Sequence, residues 1–210
     1  APPGAFQLEI GMQSFCEKTL AAVRRKTDTG VLKQNIRRLV AMGNMHVHID
    51  LIAGLPTDTP EGFSRTLDKC LALAPDNLTV HTLALKKDAD LFEHRQGLSS
   101  PEEVARMVDY AGVTLRSLGY RPYYLYRQKY MSGSFENVGW SRDGKDCLYN
   151  IAMMEELHTI LSLGGGGITK LNLPDGKLVR FPNPKFPEQY ISQLEEVLAH
   201  KEELFRQMKG

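Results

Sequence analysis

His48-Ile49-Asp50-Leu51-Ile52-Ala53-Gly54-Leu55-Pro56 alternates polar and apolar residues, breaks at a Gly-Leu-Pro turn and leads into Thr59-Pro60-Glu61. Alternation of period two marks a strand with one buried face. Thr59 then offers a side-chain cap, Pro60 a preset first helical residue and Glu61 a carboxylate near the positive end of the helix dipole. The stretch therefore reads as strand, turn, helix. Gly11-Met12-Gln13-Ser14 repeats the arrangement at the end of a cleaner alternation, in which Phe6, Leu8, Ile10 and Met12 oppose Gln7, Glu9, Gly11 and Gln13. Polar residues where strands run into helices are what an α/β barrel uses to hold its ligands.

Working outward, a short helix is expected around Glu17 to Val23 and a longer one from Val31 to Met42, stopped by Gly43. The second strand spans His46 to Ala53, and the helix after it runs to about Ala74. Asn77 to Ala84 reads as a third strand, Pro101 to Leu118 as a helix capped by Ser100, and Tyr120 to Arg127 as an aromatic fourth strand. Strands and helices alternating at this pace imply parallel pairing through right-handed crossovers. Met131 to Lys145 then reads as a polar loop and Tyr149 to Leu161 as a helix. After Gly164-Gly165-Gly166-Gly167 a strand or hairpin is expected through Leu171 to Phe181. A final helix over Pro187 to Met208 is expected to turn Leu194, Val197 and Leu198 inward. The fold class is α/β: a partial, half parallel βα barrel over residues 1–128, followed by a mixed α+β extension over 129–210. Gln7, Glu9, Gln13, His46, His48 and Asp50 call for an open interior, because a closed small barrel fills with branched apolar side chains. The alternative is that these strands turn their other face inward.

At 210 residues, 42% hydrophobic and 24% charged, the chain is ordinary globular material with room for one substantial core. A formal charge of +1 gives no basic surface for nucleic acid or an anionic membrane and leaves small molecules as the expected ligands. No apolar run approaches the roughly 20 residues that span a bilayer, and the N-terminus lacks the order of a secretion signal. Cys16, Cys70 and Cys147 are odd in number and scattered, which points to a reducing cytoplasmic setting. Cys16 and Cys70 fall on apolar helix positions and read as core residues.

Several stretches resemble a known family. Gly11-Met12-Gln13-Ser14-Phe15, Arg25, Ile49 to Pro56 and the Thr59-Pro60-Glu61 helix start are similar to the second half of the radical S-adenosylmethionine barrel. They are closest to the oxygen-independent coproporphyrinogen III oxidase group. Leu78 to Lys86, Pro122 to Lys129, Phe135 to Gly139, Tyr149-Asn150-Ile151 and Met154-Glu155-Glu156 resemble its coproporphyrinogen dehydrogenase branch. The opening, from Ala1 to His48, is more similar to radical enzymes with a cobalamin-binding domain. The family's CxxxCxxC loop for a [4Fe-4S] cluster does not occur in the chain, so the cluster is expected in a missing N-terminal part of a longer protein.

The resemblance implies that Gln13 and Arg25 contact the polar ends of S-adenosylmethionine, a role suited to an amide and a guanidinium fork. It implies that a strand-end Asp50 accepts from ribose hydroxyls, that Ala84 lies against the adenine, and that Gln128 and Ile168 line the cofactor pocket. For Arg25 the alternative is a solvated helix end, for Ala84 an ordinary buried alanine. Arg121 and Arg127 are candidates for substrate propionates, or are surface arginines. His46, His48 and His81 also admit a metal reading, but no fourth ligand accompanies them and no metal is expected. The implied reaction is oxidative decarboxylation of coproporphyrinogen III propionates to vinyl groups in porphyrin biosynthesis. Catalysis by this chain alone is not expected, since it holds no general acid–base pair or nucleophile. Two other readings stay open: a radical enzyme of another substrate class, and a non-catalytic barrel fragment that completes itself against a partner chain. The partners implied are a tetrapyrrole and either the missing barrel half or that partner chain.

Overall fold

The alternation read at the second strand becomes β2 (Met45–Ala53), with Val47, Ile49, Leu51 and Ala53 sealed on one face. The computed structural model describes residues 6–85, 97–127, 133, 135–173 and 175–209. β1 (Phe6–Gln13) and β3 (Asn77–Thr82) flank β2 in parallel, with Glu9 level with His48, Gly11 with Asp50, and Asp50 with Thr79. Partners in a ladder point to the same side. One face of the sheet thus carries Ile49, Leu51, Leu78 and Val80, and the other carries Glu9, His48, Asp50, Thr79 and His81.

The helices cover the apolar face. α1 (Glu17–Ala22) and α2 (Thr29–Met42) link β1 to β2, α3 (Pro60–Leu71) links β2 to β3, and α4 (Pro101–Ser117) precedes β4 (Arg121–Tyr126). The caps are local chemistry: Asp28 accepts from the Gly30 and Val31 amides, Thr59 accepts from Gly62, and Ser100 and Glu103 form a reciprocal capping box. Phe63, Leu67 and Cys70 of α3 and Val104, Met107, Ala111 and Leu115 of α4 recur at helical spacing and join the strand residues in one core.

The sheet is not purely parallel. Within the stretch read as a polar loop, β5 (Asn137–Ser141) forms and pairs antiparallel with β3 on one side and β4 on the other. The order is β1-β2-β3-β5-β4. A short strand bearing Asn, Gly and Ser has little intrinsic propensity, and pairing on both edges is what makes it one. Its central glycine has a packing reason: a Cβ at Gly139 would overlap the ring of Tyr124, which lies across it.

The chain divides into two compact units, Ala1–Leu148 and Tyr149–Gly210, so β5 belongs with the first. The second opens on α5 (Leu148–Met154), which is shorter than the helix expected to Leu161. It continues as an antiparallel hairpin of β6 (Ile168–Asn172) and β7 (Leu178–Pro182). The last helix is two helices, α6 (Pro187–Ser192) and α7 (Leu194–Lys209). Leu194 and Leu198, expected inward, are exposed, whereas Leu204 and Lys201 are buried, the amine of Lys201 donating to the Ser162 carbonyl at 2.6 Å. The tetraglycine run is tied down within this unit: Asn183 Nδ2 donates to the Gly164 carbonyl at 2.7 Å, and the Gly166 amide donates to Pro184 at 2.8 Å. No helix among the described residues is long and apolar enough to cross a membrane.

Candidate functional site

β1 ends in a tight turn. The Ser14 amide donates to the Met12 carbonyl at 2.8 Å, and Gln13 between them takes φ +65°, the left-handed region that a non-glycine residue enters at a cost of about 1–3 kcal/mol. Ser14 and the Phe15 amide anchor the turn to Thr66 of α3, each at 3.3 Å. The strained backbone folds the Gln13 side chain back over its own strand. A Cβ at Gly11 would lie 2.5 Å from Gln13 Nε2 and 3.8 Å from Arg25 Nη1, so both polar heads converge above this glycine. Gly11 is in register with Asp50 on the same face. Gln13, Arg25 and Asp50, far apart in sequence, therefore meet at one patch of β1 and β2.

Asp50 is not at the strand tip but inside β2, level with Gly11 and Thr79, whereas Gln13 closes β1 and half-buried Ala84 follows the end of β3. The three positions lie at successive depths along the strands. The Asp50 carboxylate sits between two imidazoles: Oδ1 is 3.2 Å from His48 Nε2 and 3.3 Å from His81 Nε2. Both contacts lie off the line of a good hydrogen bond, so the attraction is electrostatic more than directional. Burial pushes the carboxyl upward, but the two imidazoles more than reverse it and hold Asp50 well below the usual carboxylate range.

A polar network extends from this centre. His48 Nε2 donates to Thr79 Oγ1 at 2.7 Å, and Thr79 shares a hydrogen bond of 2.7 Å with the Tyr124 hydroxyl. The Tyr126 hydroxyl donates to His81 Nδ1 at 3.3 Å. Burial pushes both phenols above their ordinary range, so they remain neutral donors. The rings of Tyr124 and Tyr126 stack with centroids 6.3 Å apart. Thr79, Tyr124 and Tyr126 escaped the sequence reading because no spacing rule links residues on separate strands, although His48 and Asp50 at i and i+2 marked the face.

The histidines do not form the metal set considered from sequence. His46 Nε2 instead accepts from Lys145 Nζ at 3.1 Å, near the amino-terminal end of β2. Glu9, His48 and Asp50 do bring ligand atoms within 4.8 Å of one another. Arg121 stands at the start of β4, paired with Asp143 at 2.6 Å, and Arg127 just past its end, paired with Glu136 at 3.2 Å. Both side chains are more than half exposed, at 63% and 58%. Because β4 runs in the same sense as β3, Arg127 lies at the end of the sheet that bears Gln13, and Arg121 at the opposite end. Ile168 opens β6 in the second unit, and Gln128 lies outside the described residues. Of the cysteines, Cys16 is half-buried at the start of α1, while Cys70 and Cys147 are buried.

No family model matches the chain. It is 36% identical over 208 residues to the oxygen-independent coproporphyrinogen-III oxidase-like protein HemZ of Bacillus subtilis, with 95% of this chain and 41% of that protein aligned. The oxygen-independent coproporphyrinogen III oxidase of Pseudomonas aeruginosa is 29% identical over 121 residues, with 56% of this chain and 26% of that protein aligned. The heme chaperone HemW of Haemophilus influenzae is 22% identical over 90% of this chain and 46% of its own length. Among solved structures, coproporphyrinogen III oxidase (HemN) from Escherichia coli, described as a radical SAM enzyme, aligns with a TM-score of 0.67 at 22% identity over 90% of this chain and 43% of its own. The fold is thus that of part of the HemN chain, and this chain spans less than half the length of the relatives it matches.

Proposed function

We propose that this chain supplies one wall of the S-adenosylmethionine site in a radical enzyme of the coproporphyrinogen III oxidase type. The observation that supports it is the convergence of Gln13, Arg25 and Asp50 around Gly11, where the absence of a side chain lets the Gln13 amide fold in close to Arg25. The donor set suits the molecule. A guanidinium fork matches the methionyl carboxylate, an amide both donates and accepts at the amino acid end, and a carboxylate held ionised accepts from ribose hydroxyls. Ala84 is assigned to the adenine side. S-adenosylmethionine, together with a [4Fe-4S] cluster held by another part of the protein, would supply the hydrogen-abstracting chemistry. This chain's own residues bind, orient and exclude water.

For substrate propionates, Arg127 stands at the right end of the sheet, whereas Arg121 fits only a carboxylate that reaches the opposite rim. Oxidative decarboxylation of coproporphyrinogen III is the reaction assigned, and the test uses the intact protein. Reconstituted anaerobically with its cluster, it should release carbon dioxide from coproporphyrinogen III, and Arg127→Ala should raise KM for that substrate. The similarity to a heme chaperone over 90% of the chain supports a second reading, in which the same fold holds a finished tetrapyrrole. Stoichiometric heme binding without carbon dioxide release would favour that reading over the first.

A further inference from the structure

We propose that His48 and His81 are positioning residues that grip one oxygen of the Asp50 carboxylate from two neighbouring strands, so that the other oxygen is presented to the ribose diol of a bound nucleoside. The inference rests on the ligand reading above and deepens it by naming what aims the acceptor.

The geometry divides the carboxylate in two. Oδ1 is sealed from solvent between imidazole nitrogens at 3.2 and 3.3 Å, yet the Asp50 side chain keeps 16% exposure, which leaves Oδ2 on the open side of the sheet. Rotating Oδ1 outward would give up both imidazole contacts, which favours presenting the other oxygen. Each imidazole is itself oriented. An ionised carboxylate only accepts, so the nitrogen facing it carries the hydrogen, which at His48 Nε2 is shared between Asp50 and the nearer Thr79 hydroxyl. For His81 that leaves Nδ1 to accept from Tyr126, whose ring also meets the imidazole edge-on. His48, fully buried, is fixed through Thr79 to Tyr124, and Tyr124 is set by its seat on Gly139. The arrangement is the outer hydrogen-bonded layer that orients a ligating group and tunes its charge. Among the described residues, the other ionisable groups on this face include Glu9 of β1, Arg25 beyond it, His46 of β2 with Lys145 against it, and Tyr124 and Tyr126 of β4.

The test is an equilibrium titration of the intact protein with S-adenosylmethionine and with its 2′-deoxyribose analogue. The native protein should prefer the ribose ligand by about tenfold, the value of one good hydrogen bond to a charged group. His81→Ala should weaken the ribose ligand by about tenfold and barely change the deoxy analogue, so that the preference collapses. Tyr126→Phe, which frees His81 without touching Asp50, should cost about two- to threefold, again only for the ribose ligand. His48 is buried, so its replacement threatens folding; carboxyl ¹³C NMR of Asp50 in the more exposed His81→Ala variant provides a readout independent of ligand. That resonance should titrate at higher pH than in the native protein. An unchanged ribose preference in His81→Ala, an equal loss of both ligands, or an unmoved Asp50 titration overturns the positioning role while the ligand reading stands. Failure of the native protein to bind either nucleoside overturns both.

Discussion

Two clusters on one face of β2 use the same residue type to opposite ends. Near the amino-terminal end, His46 faces the ammonium of Lys145, which also pairs with Asp76 at 3.4 Å. Two residues later His48, with His81 from β3, faces the carboxylate of Asp50. Burial and then Lys145 push the His46 imidazole down and keep it neutral, and this cluster ties β2 to the segment after β5. The second cluster keeps a carboxylate ionised beside the Gln13 turn. The difference teaches that position along parallel strands divides labour: polar groups at one end hold the sheet together, and those nearer the carboxyl ends are the ones proposed to hold a ligand.

The sharpest way to break this comparison is Asp50→Asn. It keeps the shape, removes the charge, and should weaken S-adenosylmethionine about 30- to 100-fold by calorimetric titration, corresponding to about 2–3 kcal/mol. The matching change at the other end, Asp76→Asn, should leave that affinity unchanged. Next in size is Gly139→Ala, which drives a methyl group into the Tyr124 ring and should cost about 1–3 kcal/mol in urea denaturation, the usual penalty for overpacking.

Smaller effects separate the clusters by pH. The lowered pKa of His46 means that the unfolded chain takes up its proton first as pH falls below about 6.5. Its contribution is complete above that value and is lost toward lower pH, so His46→Gln should flatten the stability profile between about pH 7 and 5. The lowered pKa of Asp50 has the same sign in another window. Its contribution is complete above the unfolded carboxylate value of about 3.9 and is lost only below it. Urea midpoints measured across both windows would show the two steps. Smallest of all, Arg121→Ala should leave thermal stability unchanged, because its pairing with Asp143 is solvent-exposed.

Much of this was legible in the residues. Phe6 to Gln13 and His46 to Ala53 announced strands by alternation, and Thr59-Pro60 and Ser100 announced helices by their caps, because those signals are local. β5 was not legible, because Asn137-Val138-Gly139-Trp140-Ser141 becomes a strand only between two partners. The site was half legible. Gln13, Arg25 and Asp50 were nameable from their motif, but their meeting above Gly11 depends on register and on a left-handed turn at Gln13. His46, His48 and His81 were nameable as a group on neighbouring strands. Their separate partners, Lys145 and Asp50, arise from contacts that spacing alone does not encode.

A crystal structure of the intact protein with S-adenosylmethionine bound measures the central claim most directly. The methionyl carboxylate should meet Arg25, and the ribose hydroxyls should meet Oδ2 of Asp50 while Oδ1 stays between His48 and His81. A nucleoside seated away from Gly11, with Gln13 and Asp50 untouched, would contradict the account.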